Sequence, residues 1–197
     1  MPAWINLGLM FFFTACFVIL YIRSVSPAAL EEKMGLKAYP YCGRLRALSI
    51  FFLLLVMVNY LAYDFYPLSI PGLIRFPWPY PVSVLLGILI AIPTSYMVLI
   101  GLKDAGEEAV QPDKESEMFG GIYSKVRHPQ TWEYAYFFTI GFMLNSPFLV
   151  LISFLWIPLM VMMMSAEEKD LLIRYGDEYR EYMNTTGRLL PRKKTRS

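Results

Sequence analysis

The chain has 197 residues, 56% of them hydrophobic and 16% aromatic against only 17% charged, a balance far from that of a soluble domain, in which about 25% of residues are charged. Eighteen basic and sixteen acidic residues leave a formal net charge of +2, and that charge gives no reason to invoke nucleic acid when membrane topology and anionic headgroups account for the basic residues. Two cysteines and one histidine argue against a disulfide framework and against a Cys- or His-built zinc site, so no metal is expected.

In chain order, four apolar segments stand out, at 5–22, 47–63, 82–102 and 131–164. A helix rises 1.5 Å per residue and crosses the hydrocarbon core in about 20 residues, so the last segment is too long for one span. Asn145-Ser146-Pro147 is the natural reversal, with Pro147 suited to the first turn of the second helix. The expected fold is all-α: a polytopic bundle of five spans, 5–22, 47–63, 82–102, 131–145 and 147–164, the last two a hairpin, within one integral membrane domain, 1–197. The first segment lacks a basic n-region and is followed by Arg23, which favours a retained anchor over a cleaved signal peptide.

Between the spans, 24–46 is long enough for a short interfacial helix over 28–35. The loop 64–80 carries Pro67, Pro71, Pro77 and Pro79 among Phe65, Tyr66, Phe76 and Trp78. The prolines oppose a regular helix, and the aromatics suit the headgroup boundary. Pro93 is expected to bend the third span. The stretch 103–123 is polar and acidic, broken by Gly106, Pro112, Gly120 and Gly121, and reads for most of its length as a linker.

The charges test this topology. With the N-terminus outside, five basic residues fall between spans 1 and 2, four between spans 3 and 4, and eight after span 5. Seventeen of eighteen thus share one side, with Arg75 alone opposite, which places these loops and the C-terminal tail in the cytoplasm.

Polar chemistry concentrates at that cytoplasmic end, in 103–130 and 165–197. The lone His128 precedes Pro129 where span 4 begins, and a helix start offers unpaired N–H groups to a carboxylate. Beyond span 5, helical spacing places Glu167, Leu171 and Arg174 on one face and Glu168, Leu172, Tyr175 and Tyr179 on the next, so one carboxylate can face the bundle and accept hydrogen bonds from hydroxyls or an ammonium. Taken singly, the histidine reads as a headgroup or capping contact and the glutamates as a solvated helix exit; their pairing turns the reading toward a site.

The ordered set IYSKVRHPQ, an apolar hairpin, AEEKDLL, YGDEYREYM and TGRLLP resembles the isoprenylcysteine carboxyl methyltransferase family, within a wider set of small membrane methyltransferases that includes phospholipid methyltransferases. The resemblance covers about 101–192. It implies a site for S-adenosyl-L-methionine, with S-adenosylhomocysteine as product, at the cytoplasmic end of the last two spans. Tyr123, Arg127, His128 and Pro129 would line the cofactor from the loop, Glu167 and Glu168 from span 5, and Tyr179, Tyr182, Arg188 and Leu190 from the tail. Methyl transfer from a sulfonium needs alignment and desolvation, not a metal or covalent intermediate. A carboxylate acceptor, such as that of a prenylcysteine or another isoprenoid or lipid, would be oriented by Arg127 or Arg188 and would enter from the bilayer.

After RHP this chain departs from the family, which usually continues with a small or apolar residue and then Tyr. Here Gln130, Thr131, Trp132 and Glu133 follow. An acid at the start of a span is a functional candidate, and Glu133 is expected to face the pocket and favour a basic or amine acceptor. Two other function classes share the pattern. Membrane sterol reductases use a similar RHP-like motif for NADPH, and a non-catalytic scaffold could retain the fold.

Overall fold

The computed structural model describes residues 2–112 and 120–192, except the side chain of Glu108; Lys114, Lys193, Lys194 and Arg196 of the charge count lie outside the described residues. The described chain forms eight α-helices: α1 (Pro2–Ser24), α2 (Pro27–Met34), α3 (Ala38–Ala62), α4 (Tyr80–Ala105), α5 (Ala135–Met143), α6 (Pro147–Ser153), α7 (Trp156–Tyr175) and α8 (Asp177–Thr185). Short 3-10 turns precede α3 and α5. By length and apolarity, Pro2–Ser24, Pro27–Ala62, Tyr80–Ala105 and Pro147–Tyr175 can each cross a membrane. The protein is therefore an all-helical membrane protein among its described residues.

The expected segment 131–145 takes a mixed form. Its first turn, Gln130–Tyr134, is 3-10 and only Ala135–Met143 is α-helical, so the α part rises about 14 Å. The expected helix 147–164 is interrupted after Ser153 and resumes at Trp156. Between α5 and α6 the chain reverses at Asn145, which adopts φ 53. The Ser146 side chain accepts from Leu149 N–H and Pro147 occupies the first turn of α6, the capping arrangement that starts a helix sharply.

The short helix expected over 28–35 is α2. Its first-turn amides, Ala28 N–H and Ala29 N–H, donate to the two carboxylate oxygens of Asp170 on α7, at 3.1 and 2.9 Å. Asp170 is thus a cap supplied from another helix, and it ties α2 to the end of the bundle. Replacing Asp170 with alanine removes both acceptors and is expected to cost about 1–2 kcal/mol, read as a lower unfolding midpoint in detergent together with faster amide exchange at residues 28 and 29.

The core lies where α1, α3, α5, α6 and α7 meet, around Phe17, Tyr60, Phe137 and Trp156. Trp156 stacks on Phe137 at 4.2 Å and 5° and on Tyr134 at 5.2 Å and 8°, while Tyr60 packs against Phe137 at 4.7 Å. Flat aromatic surfaces fill interhelical space at small entropic cost.

α4 and the 3-10/α5 segment lie antiparallel along matching lengths. At one end Ser83 Oγ donates to Asn145 Oδ1 at 2.6 Å and Tyr80 OH to the Met143 carbonyl at 2.9 Å. At the other, a Cβ on Gly101 would come within 3.1 Å of Pro129 and Gln130. α4 packs on α5 and its 3-10 turn, and α3 packs on α1. The loop 64–79 is free of helix, with Phe76 stacked on Trp78 at 4.3 Å.

Candidate functional site

The loop ahead of α5 and the chain beyond α8 are drawn together by the backbone. Val126 and Gly187 form a parallel bridge; Arg127 N–H donates to the Gly187 carbonyl at 2.9 Å and His128 N–H to the Arg188 carbonyl at 3.0 Å. Trp132 Nε1 donates to the Leu189 carbonyl at 3.2 Å. Glycine is required at 187, since a Cβ there would overlap the Leu190 carbonyl oxygen. Gly176, at φ 59, ends α7 in a left-handed conformation that suits glycine and turns the chain into α8.

This clamp assembles a buried charge cluster. Glu168 receives Arg127 Nε at 2.9 Å, Arg188 Nε at 3.2 Å and the Arg188 terminal nitrogen, and His128 Nε2 lies 3.1 Å from the same carboxylate. His128 Nδ1 lies 3.4 Å from Glu167 Oε2. The carboxylates only accept, so a ring facing one at each nitrogen is satisfied as the doubly protonated imidazolium. Arg127 also donates to the Met183 carbonyl at 3.1 Å and to the Thr186 carbonyl.

Burial drives the His128 pKa down, but the bonds and charges of Glu167 and Glu168 outweigh it and carry the value above the ordinary 6.5. Arg188 is likewise pushed up, chiefly by its hydrogen bond to Glu168. For a histidine with a raised folded-state pKa, the stabilisation is fully present below the unfolded value and is lost as pH rises through the folded value. Unfolding stability is therefore expected to decline as pH is raised from about 6.5. In His128→Gln that decline should flatten; parallel profiles for both proteins in thermal denaturation would refute the assignment.

Above the cluster lies a cavity of about 340 Å³, within the range of small-molecule sites. Tyr123, Arg127, His128, Pro129, Glu133 and Glu167 line it, so six of the residues singled out from the sequence meet at one space. Leu171 and Arg174 line it with Glu167, the helix face expected from their spacing. The other sequence candidates lie elsewhere. Glu168 points into the charge cluster on the neighbouring helix face, as its bonds to Arg188 and Arg127 show. Tyr179 is buried beside Tyr182, whose hydroxyl donates to the Tyr123 carbonyl at 2.6 Å. Arg188 serves Glu168 from the tail, and Leu190 is 66% exposed. Relative to this cavity, Glu168 and Tyr182 hold wall residues from behind, through Arg127 and Tyr123.

Sequence reasoning missed several lining residues: Tyr21 of α1, Arg46, Leu53 and Met57 of α3, and Asp170 of α7. The two earlier helices carry no motif, and only their packing on α7 and α5 brings them to the site. Asp170 had a signal in its i+3 spacing from Glu167.

Most of the remaining wall is apolar. Ile50 and Leu54 of α3 and Val98 and Leu102 of α4 line the cavity, and Ile50, Leu54 and Leu102 are exposed. No protein-family model matches the chain, and no curated protein matches it.

Proposed function

We propose that the protein is a membrane-embedded methyltransferase that uses S-adenosyl-L-methionine and a lipophilic acceptor. The observation that carries this reading is one cavity whose wall joins the charged Arg127, His128 and Glu167 to apolar residues of α3 and α4. Such a space admits a polar cofactor and a hydrophobic acceptor from different phases.

The residues present fit the cofactor's chemistry. Its amino-acid part carries a carboxylate and an ammonium; Arg127 and His128 match the first and Glu167 the second. When bound, the cofactor supplies an electrophilic methyl group on sulfur. Arg127 and His128 are held rigid by Glu168 and Glu167, so the site pays little reorganisation to receive a charged ligand. The aromatic walls exclude water from the reacting centre.

The membrane arrangement belongs to the same proposal. α4 and the 130–146 segment share both ends through Ser83–Asn145 and Gly101–Pro129. The latter, 3-10 then α, extends about 24 Å, which supports five crossings, with α5 and α6–α7 as the hairpin. The distribution of basic residues then puts the N-terminus outside and the charge cluster in the cytoplasm.

Calorimetric titration of the purified protein with S-adenosylhomocysteine tests the reading, with NADPH as parallel ligand. Saturable binding that His128→Ala and Glu167→Ala weaken, with both variants folded, is expected. Binding of NADPH alone would replace this reading with a reductase, and binding of neither would leave a scaffold.

A further inference from the structure

We infer that Gln130 reads the nucleobase of the cofactor: its side-chain carbonyl accepts a hydrogen bond from the 6-amino group of the adenine ring. The inference rests on the methyltransferase reading and assigns a ligand contact to a position at which this chain departs from the family pattern.

Gln130 begins the 3-10 turn that leads into α5, and it lines the cavity. Its amide nitrogen donates to Tyr123 OH at 3.0 Å and to the Gly101 carbonyl at 3.4 Å, and Tyr123 OH donates to the same carbonyl at 3.3 Å. A carbonyl only accepts, so the nitrogen end of the amide must face Gly101, and the network fixes which way the amide points. A Cβ on Gly101 would come within 3.1 Å of Gln130 Cγ, so the side chain is held close against α4. The other end of the amide, Oε1, receives no hydrogen bond from the described residues. An amide oxygen left without a donor at the start of a membrane span is costly, and a ligand in the cavity that brings an N–H removes that cost.

The cofactor carries three kinds of donor. Its ammonium is matched by Glu167. Its two neighbouring ribose hydroxyls are best met by the paired oxygens of a carboxylate, whereas a single amide oxygen matches a single N–H of the adenine 6-amino group. The surroundings of Gln130 fit a purine. Tyr123 and Tyr136 line the same cavity, and α4 holds both hydroxyls, Tyr123 at the Gly101 carbonyl and Tyr136 at Ser95 Oγ, 2.8 Å away. Two aromatic rings thus stand with Gln130 on the α4 side of the cavity, and flat π-faces of this kind hold a base by stacking. The ionic residues Arg127 and His128 find their partners on α7 instead, so the amino-acid part and the base of the cofactor have separate walls.

The test is calorimetric titration in detergent with S-adenosylhomocysteine and two analogues, one with inosine in place of adenosine and one with an unsubstituted purine that lacks the 6-amino group. The native protein is expected to bind the adenine form about tenfold or more tightly than the unsubstituted purine, the penalty for leaving the amide oxygen unpaired, and to disfavour the inosine form as well. Gln130→Met, which keeps the length of the side chain and removes the carbonyl, should bring the ratio of the affinities close to one. Because the ratio is taken within one protein, a general loss of stability cancels from it. Tyr123→Phe, which removes the hydroxyl and leaves the amide, should retain a preference for adenine.

Equal affinities for the adenine and unsubstituted purine forms in the native protein overturn the inference, as does an adenine preference that persists undiminished in Gln130→Met. So does a preference that Tyr123→Phe abolishes as fully as Gln130→Met, which would assign the selectivity to the tyrosine. In each of these cases S-adenosylhomocysteine still binds the native protein and the methyltransferase reading stands, whereas failure of the native protein to bind S-adenosylhomocysteine removes both.

Discussion

Replacing Glu168 with alanine is expected to lower the unfolding free energy by about 3–5 kcal/mol, the cost of leaving buried charge uncompensated. The side chains of Glu168 and Arg127 are 4% and 9% exposed, whereas that of Arg188 is 35% exposed. Arg188 can turn to water, but Arg127 cannot leave without breaking its bonds to the Met183 and Thr186 carbonyls. The damage therefore spreads along the clamp: with Glu168 gone, His128 keeps only Glu167, and the tail loses its anchor on α7. The paired change Arg127→Met with Glu168→Leu should cost less than Glu168→Ala alone, because removing both charges avoids the orphan. Reversible denaturant titration in mixed micelles measures both, and a Glu168→Ala cost below about 1 kcal/mol would place the cluster among surface pairs of little energetic weight.

Trp156→Ala is expected to destabilise by about 3–5 kcal/mol, the range for removing a large aromatic from a packed core. Trp156 is 3% exposed and meets Phe137, Tyr134 and Phe17 at 4.2, 5.2 and 5.9 Å. Those three rings also line the cavity, so the void left behind lets the site's own walls move. Ligand affinity should fall together with stability, while Trp156→Phe retains most of both. A variant that lost stability yet kept full S-adenosylhomocysteine affinity would show that the aromatic core and the site are uncoupled.

The long helices were legible because apolar length is a strong signal. Segments 5–22 and 82–102 lie inside α1 and α4, and the start of α6 matches its proline cue at Pro147. Helix ends were less legible. α3 begins at Ala38, nine residues before its apolar run, because Tyr39 and Cys42 find burial against the rest of the bundle. The 3-10 turn at 130–134 and the break after Ser153 reflect how α5 fits beside α4 and how Trp156 reaches its stack, neither of which has a local pattern. In the site, i, i+4 spacing correctly separated the faces of Glu167 and Glu168, and the placement of Glu133 at the cavity wall followed from its position after RHP. The division of labour between the two glutamates was not readable, since it depends on a tail that returns from Gly187 to cover one of them.

Photo-crosslinking of methyl-labelled S-adenosylmethionine to the membrane-embedded protein, followed by peptide mapping, tests the central claim most directly. The account predicts label on peptides containing 123–134 or 165–175, suppressed by excess S-adenosylhomocysteine and not by NADPH. Label confined to other segments, or label that S-adenosylhomocysteine does not displace, would contradict it.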